Sequence, residues 1–396
     1  MNYLLMNFKK IVVSNTSLLI VVLGSISSFL LIIFLKKYLP EIFNTYSLYV
    51  TYLGIVVSFG YAGFDQVLLR HAKAEKSKIA VGKDILKILS LLLFVIPLLL
   101  AYYFYFSFSK LLFFPLLFSG ISINLILLAH NLLRLKQKFF VSQIFNSGYK
   151  IIFFAGLISL YLLYNTINDD DIITLCSTIL IVVAAIAVFF IFNSLAIIEQ
   201  KTVSLGNYFF SFSLNLGLLT LLTYGERIFI ASKLGEDVFG MYFYYSTVFL
   251  FPLTLIQYYV GFKELVYFKE KVDKRSIHDK IKKICFVGVV MIIAIFFLVY
   301  IDQGFFLDIT FKNNILFISL LSVLGLIKLN YGLFSALLGA KGEFKDIYKV
   351  NLITFLLILT CVLILFFVKA NIELIVFSLI VIFSIRTFFI YRKYVI

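Results

Sequence analysis

LLIVVLGSISSFLLIIF, residues 18 to 34, carries no charge over seventeen positions and shows no apolar/polar alternation. A strand of a membrane barrel alternates its faces over about ten residues. A continuous apolar run of this length reads instead as a helix, which satisfies its own backbone hydrogen bonds in lipid. Its neighbours in the chain repeat the pattern. Across 396 residues the charged fraction is 14% and the mean hydropathy is +1.06, against about 25% charged in a soluble domain. About twenty helical residues cross a hydrocarbon core of about 30 Å. Twelve runs meet that need, near 14–35, 45–69, 85–106, 111–133, 148–164, 172–195, 207–231, 239–262, 284–301, 313–335, 350–368 and 371–391. The expectation is an all-α integral membrane protein with twelve transmembrane helices. The opening MNYLLMNFKK has no small-residue cleavage site after it and reads as leading into an uncleaved first helix.

Loop charge sets the orientation. With the N-terminus inside, twenty-five Lys and Arg residues fall in inner segments and six in outer loops, so the Lys and Arg bias places both termini in the cytoplasm. This topological bias, with attraction to an anionic inner leaflet, accounts for most of the net charge of +15 and does not indicate nucleic acid. Lys150, at the soft edge of the fifth run, counts with the inner segments, and four other basic residues stay inside apolar runs: Lys87, Arg227, Lys328 and Arg386. Lys87 and Arg386 lie near enough to the inner face to snorkel, whereas Arg227 and Lys328 are harder to explain that way.

The two halves of the chain resemble each other. Shifting by 196 residues lays EIFNTYSLY (41–49) on DVFGMYFYY (237–245), matching Phe43, Tyr46 and Tyr49 with Phe239, Tyr242 and Tyr245; shifting by 205 lays LLRLKQKF (132–139) on LLGAKGEF (337–344). Six spans per half return the chain to the same side, so the repeat is parallel, as in transporters whose halves flank a central cleft. The expected organisation is two pseudo-symmetric six-helix bundles, 1–200 and 201–396, around that cleft.

Catalytic and metal signatures are few. No GxxxxGK[ST], HExxH or GxSxG occurs, and His71, His130 and His278 are far apart. Cys176, Cys285 and Cys361 lack the close spacing of a zinc site or a disulfide framework. Asp169, Asp170 and Asp171 could ligate a divalent cation, but read better as an acidic turn capping the next helix. His130 reads as a helix-end histidine before it reads as a proton carrier. The expectation is a protein with no catalytic residues, metal or cofactor. Pro97 and Pro252 interrupt the third and eighth spans.

The candidate binding residues centre on the seventh span, where TYGERIFI (223–230) sets Glu226 beside Arg227. At 100° per residue Tyr208, Ser211, Asn215 and Glu226 share an arc of about 60°, roughly opposite Phe210, Leu214 and Leu221. Charges within a membrane face a bundle interior or a water-filled cavity. Ser14, Asn15, Thr16 and Ser17 open the first span, and Asp65 stands five residues before Arg70. Asp65 either binds a coupling ion or pairs with Arg70, and the pairing is the simpler reading.

Three stretches together carry a family resemblance. SNTSLLIVVLG (14–24), LPEIFNTYSLYVTYLGIVVSFGYAGFDQVLLRHAK (39–73) and YGERIFIASKLGEDVFGMYFYYSTVF (224–249) resemble the layout of bacterial polysaccharide flippases. These are O-antigen repeat-unit flippases of the multidrug/oligosaccharidyl-lipid/polysaccharide exporter superfamily. The resemblance implies translocation of undecaprenyl-diphosphate-linked oligosaccharides from the inner to the outer leaflet of the bacterial cytoplasmic membrane, for O-antigen or capsule assembly. It also implies membrane lipids, a polysaccharide polymerase and chain-length proteins as partners. Arg227 and Lys328 are then the first phosphate candidates, with Arg70 and Arg386 next, Glu226 and Asn215 beside them, and Asp65 or Glu226 available to couple a proton or sodium gradient. Two rivals stand beside this reading. An ion-coupled drug or metabolite antiporter of the same superfamily would share the fold. A sugar polymerase or ligase would carry a long outer loop, which the sequence lacks.

Overall fold

The chain is almost wholly helical. The computed structural model describes all residues except 1, 75–77, 109, 165–166, 199–204, 271–273, 303, 305–306, 308, 310, 369 and 396; the side chains of 2–18, 66, 70, 73–74, 205–212, 262–263, 265–266, 269–270, 311–313 and 344 also lie outside the described set. Eleven described helices are long and apolar enough to cross a membrane, and the protein is a multi-pass membrane protein. The expected polar opening of the first span, Ser14 to Ser17, falls outside the described side chains.

Chain contacts divide the protein into unit 1, Met1–Thr220, and unit 2, Leu221–Ile396. Unit 1 contains α1 (Asn2–Tyr38), α2 (Pro40–Phe59), α3 (Phe64–His71), α4 (Lys83–Ser107), α5 (Phe113–Leu135), α6 (Phe139–Leu163), α7 (Asp169–Ser194) and α8 (Leu205–Thr220). Proline suits the first position of α2, where its missing N–H costs no hydrogen bond. At the start of α7 the backbone N–H of Asn168 donates to Asp171 Oδ2 at 3.0 Å, and Lys110 Nζ lies 3.8 Å from Asp169 Oδ2. The acidic triplet therefore caps a helix.

Among the described membrane-length helices of this unit α2 and α5 are the most buried, and α5 packs on α2, α4, α6 and α7. Tyr49 Oη and Ser119 Oγ, 2.7 Å apart, join α2 to α5, and Tyr52 Oη donates to the Leu116 carbonyl at 2.8 Å. Gly120 permits this approach, since a Cβ there would stand 2.2 Å from the Tyr52 hydroxyl.

Unit 2 starts with a π-helical turn, Leu221–Gly225, followed by α9 (Glu226–Leu234), α10 (Glu236–Glu270), α11 (Lys274–Asp302), α12 (Phe311–Lys341), α13 (Phe344–Phe367) and α14 (Ile372–Tyr394). Here α12 takes the central place, packing on α10, α11 and α14, while α13 packs on α14 and α9 on α10. The aromatic residues paired by the sequence repeat are buried in both units: Phe43, Tyr46 and Tyr49 on α2, and Phe239, Tyr242 and Tyr245 on α10. Tyr245 Oη accepts from Asn314 Nδ2 of α12 at 3.0 Å.

Two features depart from the sequence reading. Unit 1 contains a small sheet of β1 (Lys73–Ala74), β2 (Ile79–Gly82) and β3 (Leu195–Ile198), with β1 antiparallel and β3 parallel to β2. Beside it, Lys136 Nζ donates to Ser194 Oγ at 3.0 Å. Burial, and then the charges of Lys138 and Lys78, hold the Lys136 ammonium below its ordinary range. Secondly, α6 begins at Phe139 rather than near 148, so Lys150 belongs to the middle of a helix and not to an inner loop.

Candidate functional site

The seventh apolar run is built from three pieces. Helix α8 ends at Thr220, the chain makes a π turn over Leu221–Gly225, and α9 resumes at Glu226. A π turn bonds i to i+5 and, where it occurs inside an α-helix, frequently marks a functional site. Its wider winding interrupts the single arc drawn at 100° per residue through Asn215 and Glu226. Asn215 is half-buried on α8 in unit 1, whereas Glu226 opens α9 in unit 2.

In unit 2, α9, α10 and α12 enclose a cavity of about 120 Å³ lined by Glu226, Arg227, Tyr242, Ser246, Lys328 and neighbouring apolar groups. Glu226 is 8% exposed. Its Oε1 accepts a long hydrogen bond of 3.4 Å from Tyr242 Oη, and its Oε2 has no hydrogen-bond partner. The Arg227 guanidinium stands 5.4 Å from the Tyr224 ring centroid and 5.0 Å from that of Phe243, with Nε buried and unbonded. Lys328 Nζ lies 5.1 Å from the Phe383 ring centroid. Among the described residues no salt bridge joins Glu226 to Arg227 or Lys328, although both cations act on it electrostatically.

Two cations against one carboxylate leave this cavity with a formal charge of +1. Each charge near the centre of a membrane costs about 2.5–3.5 kcal/mol on insertion scales. Cation–aromatic contacts recover about 0.5–2 kcal/mol of that. The arrangement therefore keeps unspent donor capacity on Arg227 and Lys328, which suits an anion.

Arg386 has a different setting. It is 2% exposed, and Nε, one Nη and the other Nη donate to Tyr331 Oη (2.9 Å), Thr354 Oγ1 (2.7 Å) and Asn351 Oδ1 (3.1 Å). It stands three residues from the middle of α14, among neutral acceptors from α12 and α13, and does not line the unit 2 cavity. Snorkelling does not describe it.

Asp65 lines a separate cavity of about 170 Å³ in unit 1, with Ser58, Tyr61, His130, Arg134 and Asn146 among its walls. The turn from α2 to α3 carries it there: Gly63 has φ +81° and Ala62 φ +46°, both left-handed. The Arg70 side chain, and with it the expected Asp65–Arg70 pairing, lies outside the described residues. His130 is held by Ser142, whose Oγ lies 2.7 Å and carbonyl oxygen 2.9 Å from Nδ1.

Another cation, counted in the sequence with the inner segments, lies within a helix long and apolar enough to cross a membrane. Lys150, half-buried, sits one residue from the midpoint of α6, with Nζ 5.9 Å from the Tyr149 ring centroid. Helical spacing from Asn146 was its signal in the sequence, hidden because the polar first half of α6 lowered the local hydropathy. Comparison of the chain with family models, with curated proteins and with solved structures gives no match.

Proposed function

We propose that the protein is a flippase that carries undecaprenyl-diphosphate-linked oligosaccharide repeat units from the cytoplasmic to the outer leaflet of a bacterial cytoplasmic membrane. The observation that carries this reading is the unit 2 cavity, where Arg227 and Lys328 present cationic groups among apolar helices with no salt bridge to Glu226. A diphosphate cannot cross hydrocarbon unaided, and a guanidinium and an ammonium can take its oxygens while the lipid tail stays in the bilayer.

In this reading α8, the π turn and α9 make one crossing, which completes twelve spans with both termini in the cytoplasm. The two units descend from one ancestral bundle. Their internal pairings support this: α2 with α5, α4 with α5 and α5 with α7 in unit 1 have counterparts in α10 with α12, α11 with α12 and α12 with α14 in unit 2. Transport, not catalysis, is the activity, and polysaccharide polymerase and chain-length proteins are its partners.

Cells lacking the protein should accumulate the lipid-linked repeat unit on the inner leaflet. Appearance of the unit outside at the normal rate, with no other flippase present, would overturn the proposal. In proteoliposomes, Arg227→Ala should lower flux by about tenfold to a hundredfold, the value of one charge-assisted hydrogen bond. Its folded yield should match the wild type. A second reading, an ion-coupled antiporter of the same superfamily, draws on the Asp65 and His130 cavity; uptake of lipophilic cations against a proton or sodium gradient separates the two.

A further inference from the structure

Among the described residues of unit 1, Lys150 is the cation farthest from the ends of its helix. Helix α6 runs from Phe139 to Leu163, so eleven residues precede Lys150 and thirteen follow it. At about 1.5 Å per residue the ammonium starts about 16 Å from one helix end and about 20 Å from the other. A lysine side chain spans a fraction of either distance, and so cannot bring its charge to an interface by extension along the helix. Among the described residues, Lys150 has no hydrogen-bond or ion-pair partner and no charged side chain faces it. Its ammonium stands over the Tyr149 ring, 5.9 Å from the centroid.

The face that carries it is not lipid-like. Ser142, Asn146 and Lys150 follow at intervals of four, which stacks them on one side of α6. Ser142 is buried against His130, and Asn146 lines the polar cavity of unit 1. Tyr149, Phe153 and Leu157 continue the same side and are buried. Lys150 is therefore directed into the protein, one turn beyond a polar cavity. An intramembrane charge in such a place marks a substrate or ion path.

We propose that Lys150, with Asn146 one turn below it, forms a second anion site in unit 1 that takes an oxyanion of the head group being carried, either a phosphate or the carboxylate of an acidic sugar. The site rests on the flippase reading above and adds a binding residue to it. The ammonium accepts any oxyanion as a point charge, and the Asn146 amide supplies a neutral donor beside it.

The test uses full-length purified protein in lipid nanodiscs and two probes: undecaprenyl diphosphate, and the same lipid carrying a single glucuronic acid. Dissociation constants are measured for wild type, Lys150→Gln, Lys150→Arg and Arg227→Ala, with thermal stability in parallel. Lys150→Gln should bind at least about tenfold more weakly, and Lys150→Arg should stay within about threefold of wild type. Weakening with both probes identifies the phosphate as the bound group; weakening with the acidic sugar alone identifies the carboxylate. If Lys150→Gln binds both probes as the wild type does while Arg227→Ala does not, the unit 1 site is wrong and the flippase reading stands. If the wild type binds neither probe, the flippase reading fails and takes the site with it. Should Lys150→Gln not fold, Lys150→Cys in a background with Cys176, Cys285 and Cys361 changed to Ser decides the matter. Weak binding that is restored by an aminoethyl thiosulfonate, which rebuilds an ammonium at position 150, supports the site, and binding as tight before labelling as after it overturns it.

Discussion

Arg227 and Arg386 carry the same group into apolar helices, and their surroundings divide their roles. Arg386 spends its donors on Tyr331, Thr354 and Asn351, while Arg227 rests between two rings with a buried Nε unbonded. Replacing Arg386 with Ala leaves three buried acceptors without their donor. The expected loss is about 3 kcal/mol, read as a lower midpoint in a thermal melt of the purified protein, because each orphaned group costs about 1–3 kcal/mol less the relief of removing a buried charge. Arg227→Ala should leave that midpoint nearly unchanged. Sequence alone separated these arginines by depth, giving Arg386 a snorkelling role that it does not have, because its three acceptors stand 32, 35 and 55 residues away. Ala62 offers a change in the other direction. Its left-handed φ of +46° costs an L-residue with a Cβ about 1–2 kcal/mol, part of which glycine returns to unfolded-chain entropy. Ala62→Gly should therefore raise the melting midpoint slightly, and an unchanged or lower midpoint would count against strain at this turn.

Among the elements, helix type was legible and helix extent was not. A hydropathy window responds to residues that meet lipid, so it found α4, α7 and α11 readily. It clipped α6 because Ser142, Gln143, Asn146, Ser147 and Lys150 occupy its first half. These side chains face protein, and a window cannot know that. The π turn escaped for a related reason: LLTYG differs in no obvious way from an α-helical run, so the phase drawn from Asn215 to Glu226 ran through a change of winding. The strands Ile79–Gly82 and Leu195–Ile198 are too short for period-2 reading. Packing between α10 and α12 depends on a close approach at Gly332, where a Cβ would stand 2.9 Å from the Gln257 carbonyl oxygen and 2.8 Å from its Cγ. Small residues drive such contacts between membrane helices. Gly332→Ala should cost about 1–3 kcal/mol by overpacking, detected as loss of monodisperse protein on heating, and a neutral outcome would show that α10 can retreat.

For the molecule as a whole, composition settled the membrane class, because no soluble core uses so few charges over 396 residues. The cations were legible as anomalies; what each one touches was not. The small sheet of unit 1 carries a consequence beyond its size. Lipid hydrocarbon does not admit an open strand edge, and among the described residues β3 pairs on one side only. The sheet therefore cannot sink into the bilayer, and it marks a waterline on unit 1. The last turn of α7 and the first turn of α4, which adjoin β3 and β2 in the chain, must meet the interface at one depth. A nitroxide at Lys78 should collide mainly with a water-soluble nickel chelate, and one at Phe94, half a helix away, mainly with oxygen dissolved in the lipid.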